Sequence, residues 1–242
     1  MEKSKIAEIL DGAKKSGRKE LGEIDAKKVL SLAGIPVNRT ELATTPDEAV
    51  RIAREIHYPV VMKIASPDII HKSDAGGVRV GIGGEMEVRK AFEDIMNSAK
   101  SYSPNARILG VTVQEHVPPG REAIVGGLQD KSFGPTVMFG LGGIWVEVLK
   151  DTSFRLAPLT KDEAVEMIKE IKGYPVLAGI RGEPPADILA VAEVIEKVGI
   201  LVAEFPQIQE LDINPLFVFA AGKGAVAVDA RIFVGDGGEC HG

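Results

Sequence analysis

Polar side chains that could do chemistry are concentrated between two apolar segments, in residues 60–80. The loop SPDIIHKSDAGG contains His71 and the pair Gly76 and Gly77, and Lys63 interrupts the apolar run before it. An ammonium group and backbone N–H groups can surround an anion, and adjacent glycines let the main chain approach closely. We therefore expect this loop to bind phosphate. The alternative for Lys63 is a strand-end lysine whose stem lies along an apolar surface and whose charge reaches water.

His71 gives the loop a capacity that phosphate binding alone does not require. A neutral imidazole is a nucleophile, and imidazole is largely neutral near pH 7. It could therefore accept a phosphoryl group covalently. The alternative is an exposed loop histidine with no chemical role.

A second group of candidate residues lies in two apolar segments near the end of the chain. In ELDINPL, Asp212 and Asn214 are two residues apart on a predicted strand, so both side chains project from one face. Asp229 interrupts the apolar run AVAVDARI on the neighbouring predicted strand. Carboxylate and amide oxygens are hard ligands suited to Mg²⁺. If the two strands pair, Asp229 would reach the same ion; otherwise each carboxylate is a solvated strand position.

The composition is typical of a folded soluble protein with one large domain or two small lobes. Its 242 residues are 45% hydrophobic and 26% charged, and the net charge of −6 argues against a nucleic-acid or anionic-membrane surface. The single cysteine, Cys240, excludes an internal disulfide and suits a reducing compartment. No apolar stretch approaches the roughly 20 residues that would cross a bilayer, and the first residues lack the apolar core of a secretory signal. We expect a cytoplasmic protein with neither nucleic-acid nor membrane partners.

Hydrophobic periodicity predicts mixed helices and strands, with capping boxes at Thr45–Glu48 and Thr160–Glu163. Pro118, Pro119 and Gly120 form a rigid break where we place a junction between two lobes. Short turns between the later strands favour an antiparallel sheet. Helices are predicted at residues 6–15, 23–33, 46–56, 85–99, 160–171 and 184–198, and strands at residues 37–42, 60–63, 78–82, 109–117, 123–128, 135–139, 144–149, 154–157, 208–218 and 225–234.

The motifs HKSDAGGV, ELDINPL and AVDARI closely resemble those of the nucleotide-binding β subunits of ADP-forming (NDP-forming) acetyl-CoA synthetases, relatives of succinyl-CoA synthetase. The resemblance runs from about residue 23 to residue 234, with the motifs in the family's order. It implies an α/β (α+β) ATP-grasp fold in which two lobes clasp a nucleotide. The implied organisation is a helical extension at residues 1–22, a first lobe at 23–117, a second lobe at 118–234 and a flexible glycine-rich tail at 235–242.

The resemblance also assigns roles to the two groups of polar residues. His71 would be a phosphohistidine carrier, and Asn214 and Asp229 would hold Mg²⁺. Asp212 would either join the metal ligands or accept a hydrogen bond from the imidazole of His71 and so orient it. A histidine that serves two distant sites must lie on a mobile segment, so we expect residues 66–75 to adopt more than one position.

The nucleotide contacts implied by the resemblance come from four further residues. Lys63 would contact the α- and β-phosphates of ATP or ADP, and Glu122 the ribose hydroxyls. Main-chain groups of Glu115 and Val117 would contact the adenine. Without the resemblance, Glu115 reads as a surface loop residue before the Pro-Pro-Gly break.

The implied activity is that of an acid–thiol ligase, an ADP-forming acetate–CoA ligase that interconverts acyl-CoA, ADP and phosphate with acid, CoA and ATP. An α subunit, in an α2β2 heterotetramer, would bind CoA and form the acyl phosphate, since no flavodoxin-like CoA-binding lobe is found in this chain. Such an enzyme supports substrate-level phosphorylation. The alternatives are an ATP-grasp carboxylate ligase that forms an acyl phosphate directly, and a non-catalytic nucleotide-sensing subunit. The acid used and the choice between ADP and GDP are not encoded in these motifs.

Overall fold

The computed structural model describes residues 1–69, 71–143, 149–180 and 182–235. The predicted strand at 144–149 and the tail after residue 235 therefore lie almost wholly outside the described residues. The helices are α1 (Lys3–Lys15), α2 (Glu23–Leu32), α3 (Pro46–Ile56), α4 (Glu85–Tyr102), α5 (Lys161–Glu170), α6 (Tyr174–Ala178) and α7 (Ile188–Glu204). The strands are β1 (Glu20–Leu21), β2 (Thr40–Ala43), β3 (Val60–Ala65), β4 (Val78–Ile82), β5 (Gly110–Glu115), β6 (Arg121–Asp130), β7 (Gly134–Leu141), β8 (Thr152–Leu156), β9 (Ile208–Val218), β10 (Ala225–Ala227) and β11 (Ala230–Val234).

The chain divides into two compact units. Asn38–Pro118 forms the smaller unit, and Met1–Val37 joins the chain from Pro119 onward in the larger one. The sequence placed residues 23–37 in the first lobe and residues 1–22 in an extension, whereas the structure places both in the larger unit. The reason is packing: Leu10 and Leu30 belong to the same buried cluster as Ile232, and β1 pairs with β11.

The smaller unit is an antiparallel four-stranded sheet, within the described residues, with strand order β2-β5-β3-β4. Val60, Met62 and Ile64 of β3 are buried in one apolar cluster with Ile52 of α3 and Ile95 of α4. Both helices therefore cover the same face of the sheet. The intervening residues of β3 must project from the opposite face.

The larger unit is an antiparallel seven-stranded sheet, as far as the described residues go. Its order is β1-β11-β9-β6-β7-β8, with β10 also paired to β9. Helix α7 covers one face and runs to Glu204, past the predicted end at residue 198. Gly199 lies within this helix, at a close contact with Leu159: a Cβ on Gly199 would lie 2.6 Å from Cδ2 of Leu159. The glycine permits close helix packing and does not end the helix.

The two predicted capping boxes differ in the structure. At the start of α5, the Thr160 side chain accepts the Glu163 N–H, and Glu163 accepts the Thr160 N–H, so the reciprocal box is confirmed. At the start of α3, Thr45 accepts the Glu48 N–H, but the Glu48 carboxylate accepts both the N–H and the hydroxyl of Thr44. The reciprocal box predicted at Thr45–Glu48 was therefore wrong: Glu48 does not accept the Thr45 N–H, because Thr44 offers it two donors.

We expect Thr160→Ala to lower the free energy of unfolding by about 1 kcal/mol, because it removes the acceptor for the first turn of α5. Thr160→Ser keeps the oxygen and should unfold like the unaltered protein. Urea denaturation measures both variants, with Ser101→Ala on the exposed side of α4 as the control for a hydroxyl deletion. Equal stability of the Thr160→Ala and Ser101→Ala variants would contradict this role of the cap.

Candidate functional site

Lys63 lies within β3, two residues before its end, and is only 8% exposed. It pairs across the sheet with Thr112, whose hydroxyl donates to the Lys63 carbonyl at 3.3 Å. The side-chain amide of fully buried Gln114 donates to the Thr112 hydroxyl at 2.9 Å. Lys63 is therefore not a surface lysine but one end of a buried polar row on the face opposite α3 and α4. Sequence periodicity missed Thr112 and Gln114, because polar residues in a strand normally indicate a solvated face.

His71 is exposed, at the start of a turn that follows β3. Its carbonyl accepts the Ala75 N–H at 3.2 Å, and the Lys72 carbonyl accepts the Gly77 N–H at 2.8 Å. Ala75 is buried in the apolar cluster of the smaller unit, whereas the imidazole is not. The turn thus holds its backbone against the unit and leaves the ring accessible to a reactant.

The glycine pair after His71 has a packing role that the sequence did not predict. Gly76 has a φ of +62°, which favours glycine, and Arg79 donates to its carbonyl at 2.9 Å. A Cβ on Gly77 would lie 2.5 Å from Cγ2 of Ile64 and 2.9 Å from the Lys72 carbonyl. These glycines fix the return of the loop onto β3, in addition to any approach to an anion.

The main chain of Glu115 already has partners within the smaller unit. Its N–H donates to the Arg39 carbonyl at 2.9 Å, and its carbonyl accepts from the Asn38 side chain at 3.0 Å. The N–H is therefore occupied, whereas the carbonyl retains one lone pair that an adenine amino group could use. Val117 is half-buried just beyond β5.

Glu122 of the larger unit is exposed on β6, one residue after the strand begins. Its carbonyl accepts the Gly142 N–H at 2.8 Å. The side chain lies on an exposed strand position, as a ribose contact would require.

The predicted pairing of the two acidic segments is observed. Asp212 lies opposite Arg231 in the β9–β11 ladder, and the Asn214 N–H donates to the Asp229 carbonyl at 3.2 Å. β10 and β11 are separated at Val228 and Asp229, yet Val228 donates to the Pro215 carbonyl, so the register continues through the break. The side chains of this group are partly or fully exposed, whereas the neighbouring Leu211, Ile213, Ala230 and Ile232 are buried. The group consists of Asp212, Asn214, Asp229 and Arg231. They share the face that α7 does not cover.

The Asp212 carboxyl is the strongly perturbed acid of this face. Burial raises its pKa from 3.8 to about 6; the positive charge of Arg231 opposes the shift, and the negative charges of Glu210 and Asp229 add to it. On its other side Asp212 lies opposite Gly126 of β6, which has no side chain. Met138 of β7 lies over that glycine, since a Cβ on Gly126 would be 3.3 Å from Cε of Met138. The negative charges near the Asp212 carboxylate favour a cation or a hydrogen-bond donor beside it.

The donor set fits Mg²⁺ better than a transition metal. Within residues 1–69, 71–143, 149–180 and 182–235, no three His, Cys, Asp or Glu side chains are grouped as they would be around a metal ion. Asn214 and Asp229 offer one amide and one carboxylate on paired backbone positions. Mg²⁺ commonly takes one or two protein carboxylates and leaves its remaining positions to water and phosphate.

Arg155 and Arg181 carry positive charges that could contact further anions. Arg155 of β8 forms a two-pronged ion pair with Glu170 of α5, so its charge is already engaged. Arg181 lies outside the described residues.

Among the helices of the described ranges, none is long and apolar enough for a membrane span.

We expect Asp212 to make folding stability depend on pH in the absence of added divalent cations. Its folded pKa lies above the usual 3.8, so it favours the folded state below about pH 4, and that contribution is lost as the pH rises through about 6. The loss is at most about 3 kcal/mol. Urea denaturation between pH 4 and 7.5 should show this loss in the unaltered protein and not in Asp212→Asn. The exposed neighbour variant Glu210→Gln should keep most of it, and identical pH profiles for the unaltered protein and Asp212→Asn would contradict the prediction.

Comparison with known proteins assigns a family. The protein-family model described as an ATP-grasp domain matches residues 12–234. The chain is 54% identical over 231 residues to the β subunit of acetate–CoA ligase (ADP-forming) I of Pyrococcus furiosus, covering 96% of this chain and 98% of that one. It is 48% identical over 230 residues to the 4-hydroxybutyrate–CoA ligase (ADP-forming) of Nitrosopumilus maritimus, covering 95% of this chain but 33% of that protein.

Solved structures of the dinucleotide-forming acetyl-coenzyme A synthetase 1 of Ca. Korarchaeum cryptofilum are also similar. The complex with coenzyme A and Ca-AMPCP matches with a TM-score of 0.92 and 49% identity, covering 94% of this chain and 99% of that one. A complex with a phosphorylated phosphohistidine segment in the site I orientation matches with a TM-score of 0.88 and 46% identity, over 95% of this chain and all of that one. A Mg-AMPPCP complex, whose segment points towards the nucleotide-binding site, matches with a TM-score of 0.84 and 45% identity, over the same shares.

The fold prediction is thereby confirmed, since mixed helices and antiparallel sheets match ATP-grasp structures at high identity. The predicted kinship with acetyl-CoA synthetase β subunits is confirmed as well. This chain belongs to the ATP-grasp family of ADP-forming acetate–CoA ligase β subunits.

Proposed function

We propose that this chain is the nucleotide-binding subunit of an ADP-forming acyl-CoA ligase and that His71 carries the phosphoryl group. The observation that supports this most is the exposed imidazole on the HKSDAGGV turn, in a chain 54% identical to an acetate–CoA ligase β subunit. A histidine buried in the apolar cluster could not reach a phosphoryl donor. The ring of His71 is exposed to a reactant while its backbone is held by hydrogen bonds.

The proposed chemistry is a reversible transfer of PO₃ between ATP and the imidazole. A ring nitrogen attacks the γ-phosphorus, the N–P bond forms, and the bond to the β,γ-bridging oxygen breaks, so that ADP leaves with the electron pair. In the direction of ATP synthesis, ADP attacks the phosphohistidine. Such transfer depends on in-line positioning and on stabilisation of charge at the phosphate oxygens.

Lys63 is assigned to that charge stabilisation. Its ammonium belongs to a strand of the same unit as His71, and the polar row with Thr112 and Gln114 provides a setting in which a buried cation is tolerated. Val117 and, through its carbonyl, Glu115 are assigned to the base, and Glu122 to the ribose. The main-chain N–H that donates to the adenine would be that of Val117, because the N–H of Glu115 already donates to Arg39.

Asn214 and Asp229 would hold Mg²⁺, which when bound would neutralise charge on the nucleotide phosphates. A Mg-AMPPCP complex of the Korarchaeum enzyme supports this choice of ion. Asp212 is assigned to accept from one imidazole N–H, so that the other nitrogen faces the phosphorus.

A partner subunit follows from the relatives, which are β subunits. The match to this chain covers 33% of the 4-hydroxybutyrate–CoA ligase, so about two thirds of that protein has no counterpart in this chain. We assign CoA binding and acyl phosphate formation to an α subunit, in an α2β2 complex. The two segment orientations of the Korarchaeum enzyme support a segment at residues 66–75 that moves between acyl phosphate and nucleotide.

We expect incubation with ATP labelled at the γ-phosphate and Mg²⁺ to leave a base-stable, acid-labile label on the chain, as a phosphohistidine does. His71→Asn should abolish the label, because it removes the nucleophile. His57→Asn is the matched control, since His57 is exposed in the same unit and should leave labelling unchanged. Label that persists in His71→Asn on an acidic side chain would instead support a ligase acting through a direct acyl phosphate.

We expect Lys63→Met to weaken ADP binding by about 10- to 100-fold, the effect of losing one charge-assisted hydrogen bond to phosphate. Calorimetric titration measures the affinity, and circular dichroism checks that the buried substitution folds. Lys90→Met, on the exposed side of α4, controls for loss of a charge. If Lys63→Met weakened binding while the reconstituted complex kept full turnover, the chain would be a nucleotide sensor and not a catalytic subunit.

A further inference from the structure

Arg231 of β11 is a charged residue of the acidic face to which the proposed function gives no role. It lies directly opposite Asp212 in the antiparallel ladder between β11 and β9. Both residues are partly exposed, on the face of the sheet that α7 does not cover. Directly opposed side chains of an antiparallel pair have Cβ atoms about 4.5–5.5 Å apart, so these two charges interact at close range.

The other neighbours of Asp212 are acidic, neutral or small. Glu210 and Asn214 flank it along β9, Asp229 lies diagonally across the ladder, and Gly126 lies opposite on β6. Among these positions Arg231 supplies the positive charge. Without Arg231, the carboxylates of Glu210, Asp212 and Asp229 would share one surface. Asp212 would then have no cationic neighbour among these positions to hold its rotamer.

We propose that Arg231 is a positioning residue that fixes the Asp212 carboxylate and leaves one of its two oxygens for a second donor. A guanidinium donates through a rigid planar fork, and it can hold one carboxylate oxygen while leaving the other to a second donor. In the proposed function that second donor is the imidazole of His71. The inference therefore rests on the proposed function and names the residue that keeps Asp212 ready for it.

The test separates the two half-reactions of the complete complex with its CoA-binding partner. Rapid quenching measures the phosphorylation of His71 from ATP with Mg²⁺, and separately its phosphorylation from acetyl-CoA and phosphate. Arg231→Met should slow the first reaction by about 10- to 100-fold, as loss of a supporting residue does at other sites, and leave the second unchanged. ADP affinity should also be unchanged, because Arg231 does not touch the nucleotide in this account.

Two further variants identify the path of the effect. Arg231→Lys keeps the charge but not the fork, and should recover part of the lost rate. In a double-mutant cycle, Arg231→Met combined with Asp212→Asn should be no slower than Asp212→Asn alone, because Arg231 acts through that carboxylate. Arg155→Met is the control, since it removes an ion-paired arginine from the same sheet.

Equal slowing of both half-reactions by Arg231→Met would overturn the inference, since that is the signature of a general structural defect. So would effects of Arg231→Met and Asp212→Asn that add fully. If Arg231→Met fails to fold in thermal melting, the Lys variant alone decides: a rate equal to that of the unaltered complex overturns the proposal. Absence of any label on His71 in the unaltered complex would instead refute the proposed function, and this inference with it.

Discussion

The antiparallel register between β9 and β11 determines which polar side chains of the larger unit can act together. It sets Asp212 opposite Arg231 and brings Asn214 beside Asp229, although these residues are separated by many positions in sequence. A shift of β9 by one residue would turn Asp212 and Asn214 toward α7, where buried polar groups without partners are unfavourable. The apolar residues between them, such as Leu211 and Ile213, resist that shift because they fill the core beneath α7. The chemistry of this face therefore depends on the hydrophobic pattern of the strands that carry it.

The smaller unit holds a loop in place without burying the imidazole of His71. Gly77 lies against Ile64, and Ala75 enters the apolar cluster, so the loop returns closely onto β3. His71 remains exposed at the start of the turn. Backbone hydrogen bonds, rather than contacts of the imidazole, define the local structure. Because the imidazole is not needed for packing, it is available for the phosphoryl transfer that we propose.

Sequence periodicity predicted most long elements, because α4 and α5 have clear apolar stripes and Thr160 has a true capping box. It failed where a residue type had two meanings. The helix predicted to end at residue 198 continues through Gly199, which serves close packing, and the two-residue strand β1 is too short to show any pattern. The pairing of Asp212 and Asn214 with Asp229 could be predicted from alternation along two strands. The opposition of Arg231 to Asp212 requires the exact register. The partners of the Glu115 main chain are also far away in sequence: its N–H donates to Arg39, and its carbonyl accepts from Asn38.

The central claim is that His71 transfers a phosphoryl group between two reactants through a covalent N–P bond. The most direct test is a chase on the complete complex, followed by phosphorus NMR. Acetyl-CoA and phosphate without ADP should load the chain with a phosphoramidate on His71, and added ADP should discharge it as ATP in equal amount. ATP formation without prior loading, or a loaded phosphate that ADP cannot remove, would contradict the account.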